Sequence, residues 1–157
     1  PTPGIPGLRD PPRGPALEIQ GPVVVFAFCL VGHASLEESF AGGAFLALSC
    51  DYRLMREDRG WFSVSEVDVG VPVPAPMTGI LRGKLPANTA RDALLTGKRY
   101  TADKAVAAGI ADGKAPAEAL LDQAKALAGQ LGTKEPGIFK TLKQAWFGPM
   151  AEALVAG

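Results

Sequence analysis

The chain has 157 residues, 16 basic against 16 acidic, and is 47% hydrophobic and 20% charged. That size and balance suit one globular domain with its own core, and a zero net charge gives no electrostatic reason to expect nucleic acid or an anionic membrane surface. No apolar run approaches the ~20 residues of a membrane span, and two cysteines with one histidine fall short of the usual zinc ligand set, so no metal is expected.

Residues 1–21 read as an irregular arm, because Pro1, Pro3, Pro6, Pro11, Pro12 and Pro15 forbid helix and sheet ladders. The domain proper is expected over residues 22–157. Pro22 opens a continuous β-branched and aromatic run, Val23 to Leu30, which predicts a strand buried on both faces, as in parallel sheets. Gly42-Gly43 is expected to open a short helix ending near Ser49. Strands are predicted over Asp51–Met55 and Trp61–Ser65, joined by a turn at Glu57-Asp58-Arg59-Gly60. Beyond the rigid bend at Pro72, Pro74 and Pro76, a short helix runs to about Arg82. Pro86 is expected at the first position of a helix that stops at Gly97. Thr101 is expected to cap the next, which stops at Gly109. Pro116 starts a third, with Leu120, Ala124, Leu127 and Leu131 on one stripe. Ile138, Leu142 and Ala145 give a last stripe. Strands followed by helices make the fold class α/β.

A strand leading through glycines into a helix N-terminus is a device with chemical uses. The first N–H groups of a helix have no internal partner, and the glycines let a ligand approach them. Such a corner can hold a phosphate or an oxyanion. Tight helix–strand packing would explain the same glycines equally well. The wider context is more specific. Gly32-His33-Ala34, Phe40-Ala41-Gly42-Gly43-Ala44-Phe45-Leu46-Ala47-Leu48, and Cys50 to Met55 together resemble the signature of the enoyl-CoA hydratase/isomerase (crotonase) superfamily. Phe62-Ser63 with Glu66-Val67 and Gly70, then Leu95 to Ala102 with Gly109 to Asp112, match its later segments. Ser65-Glu66-Val67-Asp68 and Arg82-Gly83-Lys84 look most like the enoyl-CoA delta isomerase branch.

The resemblance implies a partial crotonase-like fold, a spiral of ββα units with C-terminal helices, and it implies association into homo-oligomers, trimers in the family. The expected ligand is an acyl-CoA thioester, with no separate cofactor because CoA enters as part of the substrate. By motif position Gly42 would supply one oxyanion-binding N–H. Ala41, Gly43, Phe45 and Trp61 would flank the substrate. The family's other donor comes from an earlier segment, which nothing in residues 1–21 matches, so the chain is expected to hold a truncated domain with impaired activity. Family isomerases are often peroxisomal. Val155-Ala156-Gly157 is no peroxisomal tripeptide, which leaves a peroxisomal or cytoplasmic location.

Family hydratases carry two carboxylates, since adding water needs a base for the water and an acid for the carbon. Here Phe45 stands at the first of those positions and Glu66 at the second. One carboxylate can still move a proton between two carbons, so the expected reaction is enoyl-CoA double-bond isomerisation in fatty-acid β-oxidation, with Glu66 as the proton shuttle. A hydratase or another thioester enzyme is the alternative, and an inactive fragment that only binds or associates is a third reading. His33 is read as a packed residue, Asp51 as a structural carboxylate holding nearby backbone N–H groups, and Lys98, Arg99, Lys140 and Lys143 as solvated cations or contacts for CoA phosphates. Ser35 to Ser39 interrupt the family spacing between Ala34 and Phe40. If they extend the helix backwards, its N-terminus moves off Gly42, and Glu37 and Glu38 bring negative charge to the place where an enolate would form.

Overall fold

The computed structural model describes residues 25–28 and 40–156. The expectations for residues 1–21, the Gly32–Ala34 stretch with His33, and the 35–39 insert lie outside these residues.

Three short parallel strands form one sheet in the order β1 (Val25–Phe28), β2 (Tyr52–Arg56), β3 (Gly113–Ala115). Val25 pairs with Tyr52 on one side of β2, and Leu54 with Gly113 on the other. Parallel neighbours require crossovers. The first crossover carries α1 (Phe40–Ser49). The second carries α2 (Glu66–Val69), α3 (Ala75–Lys84), α4 (Ala87–Thr96) and α5 (Ala102–Ala107). Two further helices follow, α6 (Ala117–Leu131) and α7 (Pro136–Ala156).

The period-2 geometry of β2 divides the core in two. Leu54 faces α6, where it clusters with Ala115, Leu120 and Ala124. Its neighbour Met55 faces the other way, into the main core of Ala44, Phe45, Ala47 and Leu48 from α1, Phe62 and Val64, Ile80 and Leu81 from α3, and Ala93 from α4. Gly113 lets β3 approach β2 closely: a Cβ there would lie 2.9 Å from Leu54 Cδ2 and would have to displace that methyl.

The helices from α3 to α6 start and stop within a few residues of where prolines and glycines place them. Gly97 closes α4 in the left-handed conformation, with φ +60°. Pro86 and Pro116 sit one position earlier than expected, as N-caps. Thr101 occupies its N-cap position without a side-chain capping bond.

Four expectations need correction. The helix α1 begins at Phe40, not at Gly42. Residues 61–65 do not form a strand: only Phe62 bridges Tyr100, antiparallel, because no neighbouring strand runs alongside the segment among the described residues. Residues 66–69 and 113–115, expected as connections, form the single-turn α2 and the strand β3, both too short to show periodicity. Finally, Ile138 and Leu142 on α7 face solvent rather than the core.

Candidate active site

Glu66 opens α2 and is 6% exposed. Burial at this position is a consequence of the chain on either side. Phe62 and Val64, two residues apart, point into the core. The single turn of α2 then closes on Gly70, whose φ of +70° ends the helix and whose N–H bonds to the Glu66 carbonyl. A carboxylate so placed is largely withdrawn from water. Its Oε2 has no hydrogen-bond partner among the described residues. Leaving a buried polar oxygen unpaired costs about 1–3 kcal/mol, and folding alone gives no reason to retain such a group. Its neighbour Val67 is half exposed.

Gly42 is the third residue of α1, and Ala41 and Gly43 flank it in the first turn. The first four N–H groups of a helix have no partner within it, so the Gly42 N–H remains outside the helix ladder even with α1 starting at Phe40. A Cβ on Gly43 would meet no described atom within 4 Å. Packing among the described residues therefore does not require glycine there. Phe45, one turn further on, is 4% exposed and belongs to the same core cluster as Phe62 and Val64, which lead to Glu66. Trp61 lies apart, half-buried, with the Arg99 guanidinium 4.9 Å from its ring centre.

The other charged candidates hold the fold together. Asp51 accepts from Lys143 Nζ at 2.7 Å, an ion pair that ties α7 to the α1–β2 junction. Asp112 accepts the Arg53 backbone N–H at 2.7 Å. Arg53 is itself buried and donates from Nε to the Ile110 carbonyl at 2.5 Å. Lys98 sits 5.0 Å from the centre of the Tyr100 ring. Lys84 donates to the Cys50 carbonyl at 3.2 Å and lies 3.6 Å over the Phe147 ring; burial lowers its pKa, against a smaller opposing effect of Asp51. Burial, and then the charge of Asp51, raises the Cys50 thiol. Among the described residues, no group of acidic, histidine and cysteine side chains could hold a metal ion.

The model of the enoyl-CoA hydratase/isomerase family matches residues 25–157, the stretch that holds the parallel sheet, the glycine-bearing α1 and the buried Glu66. The chain belongs to the enoyl-CoA hydratase/isomerase family. It is 45% identical over 84 residues to "Enoyl-CoA delta isomerase 1, peroxisomal" of Arabidopsis thaliana, covering 53% of this chain and 33% of that one. It is 39% identical over 109 residues to "Enoyl-CoA delta isomerase 3" of the same plant, covering 68% of this chain and 44% of that one. The chain thus spans less than half the length of these curated relatives. Among solved structures, human mitochondrial delta3-delta2-enoyl-CoA isomerase superposes with a TM-score of 0.70 at 26% identity, over 74% of this chain and 45% of that one. An enoyl-CoA hydratase of Mycobacterium ulcerans superposes at 0.77 with 27% identity, over 90% of this chain and 58% of that one. The fold is that of crotonase-like enzymes, in part. No described helix is long and apolar enough to cross a membrane.

Proposed function

We propose that this chain is an acyl-CoA double-bond isomerase of the kind used in fatty-acid β-oxidation. The carrying observation is the buried Glu66, whose Oε2 has no partner among the described residues. In this reading the Glu66 carboxylate takes a proton from C2 of a 3-enoyl-CoA. The electrons of that C–H bond form a dienolate, whose oxygen accepts the Gly42 N–H. The protonated Glu66 then returns the proton to C4, the double bond moves from C3 to C2, and the carboxylate is regenerated. No water is consumed and no external oxidant or reductant is needed. A single carboxylate suffices because the same proton leaves and returns. Phe45, at the position where family hydratases carry a second carboxylate, is buried in the core and leaves no base there to activate water.

On this reading the Gly42 N–H is an oxyanion donor, of the kind whose removal costs roughly 10²–10³ in rate. Association into homo-oligomers and a peroxisomal or cytoplasmic location belong to the same proposal. Two of the plant relatives are named as peroxisomal.

The test is turnover of a 3-enoyl-CoA to its 2-enoyl isomer by the parent and by Glu66→Gln. Gln keeps the shape but takes up no proton at neutral pH. Loss of at least about 100-fold in kcat with an unchanged circular dichroism spectrum is expected, from the usual worth of a positioned base. An unchanged rate in the Gln variant removes Glu66 from the reaction, and hydration of a 2-enoyl-CoA at a comparable rate would favour the hydratase reading.

A further inference from the structure

Glu66 is held in place by a corner of the chain some thirty residues further on. The residues before it make two anchors. Phe62 and Tyr100 exchange both backbone hydrogen bonds, at 2.9 and 2.8 Å. The Ser63 hydroxyl, buried, donates to the Gly97 carbonyl at 2.8 Å. The residue after the first half-turn of α2 makes a third. The Asp68 carboxylate lies against the Gly97 backbone, in the space a side chain would fill, with Oδ1 2.9 Å from an ideal Cβ. All three anchors reach the same α4–α5 corner, Gly97 to Tyr100. Gly97 is doubly constrained there, by its φ of +60° and by the Asp68 carboxylate.

These contacts bracket Glu66 on both sides. Between them α2 has only a single turn, with no side-chain cap at Ser65. A helix so short has little stability of its own. Its carboxylate is also an unfavourable group to keep buried. The corner must therefore supply the restraint that keeps the side chain inside.

We propose that Ser63 and Gly97 are positioning residues for Glu66, with the α4–α5 corner acting as the clamp that holds the base in its buried place. The inference rests on the isomerase reading for its catalytic consequence, but not for its geometric one. A displacement of even 1 Å in a catalytic group is enough to cost orders of magnitude in rate. The clamp therefore acts on turnover rather than on thioester binding.

The experiment has two readouts on the full chain. The first is the rate at which a water-soluble carbodiimide and an amine label Glu66, followed by peptide mass spectrometry, with exposed Glu118 and Glu152 as internal references. Ser63→Ala removes one buried hydrogen bond and is expected to speed Glu66 labelling about fivefold, with the reference carboxylates unchanged. Gly97→Ala, which drives a Cβ into the Asp68 carboxylate, is expected to do at least as much. Ser63→Thr keeps the hydroxyl and is expected to restore protection, which separates the hydrogen bond from a general loosening of the fold. The second readout is isomerase kinetics: kcat falls about fivefold or more in Ser63→Ala while KM stays within about twofold. Equal labelling of Glu66 in the parent and Ser63→Ala overturns the clamp, whatever the turnover, and so does a loss in Ser63→Ala carried entirely by KM. If Glu66→Gln leaves turnover unchanged, the isomerase reading fails while the labelling comparison still decides the clamp.

Discussion

Cys50 and Lys84 show how one crowded junction sets opposite responses to pH. The Cys50 thiol is held protonated by burial, helped by the neighbouring charge of Asp51, so its pKa lies above the ordinary 9.0. Above pH 9.0 the unfolded chain gives up that proton while the folded chain keeps it. The folded state then binds more protons, and stability falls as pH rises through this window. Lys84 does the reverse. Burial lowers its pKa below the ordinary 10.5, so the folded chain releases a proton that the unfolded chain still holds. Its contribution rises with pH from the lowered value up to 10.5. Single variants separate the two contributions. Cys50→Ala is expected to lose less stability than the parent between about pH 8 and about pH 10, and Lys84→Met to lose more, by urea unfolding at each pH. A Cys50→Ala slope equal to or steeper than the parent's would mean that the thiol does not remain protonated in the fold.

The elements divide by what the sequence can announce. Helices α3 to α6 were legible because proline and glycine fix their ends locally, through φ and the missing N–H. The stripe on α6 was legible because Leu120 and Ala124 have a partner in Leu54 close by in the sheet. Residues 61–65 were misread because their β-branched and aromatic character reports burial, and burial here comes from packing under α1 and α3 rather than from a strand ladder. The candidate site was half legible. Motif spacing singled out Glu66 and Gly42, but the restraint on Glu66 comes from Gly97 and Tyr100, and no local pattern joins residues that far apart. Lys143 is a case of the same kind. Read as a solvated cation or phosphate contact, it is instead 16% exposed and paired with an Asp51 side chain that is 7% exposed. Lys143→Met should therefore loosen the attachment of α7. A charge-assisted hydrogen bond of this burial is worth about 2 kcal/mol, against less than about 0.5 kcal/mol for Lys134→Met at an exposed position on the α6–α7 connection. Urea denaturation of the two variants measures the difference, and equal losses would show that Asp51 does not depend on Lys143.

At the scale of the molecule, α7 has one apolar face more than the described residues cover. Its start is secured locally, where the Glu135 carboxylate accepts the N–H groups of Gly137 and Ile138 at 3.0 and 2.6 Å. Lys143, Phe147 and Met150 recur at helical spacing and form the docked side: Lys143 meets Asp51, Phe147 lies under Lys84, and Met150 passes so close to Gly83 that a Cβ there would be 2.9 Å from its sulfur. Ile138, Leu142 and Trp146, four residues apart, form a second stripe that stands in solvent, with Trp146 77% exposed. An apolar side chain of that size left in water forgoes its burial energy, about 25 cal/mol for each Å² of apolar surface. The two tryptophans report on this directly. In Trp61→Phe the remaining indole is expected to emit as a solvated one and to be quenched readily by acrylamide in dilute protein. In Trp146→Phe the remaining Trp61, half-buried beside Arg99, is expected to be the better shielded of the two. Equal quenching in the two variants would refute the placement of α7. Shielding of Trp146 that grows with protein concentration would instead mean that copies of the chain cover the stripe, the association that the proposed function includes, and a further change of Leu142→Ser would then abolish that concentration dependence.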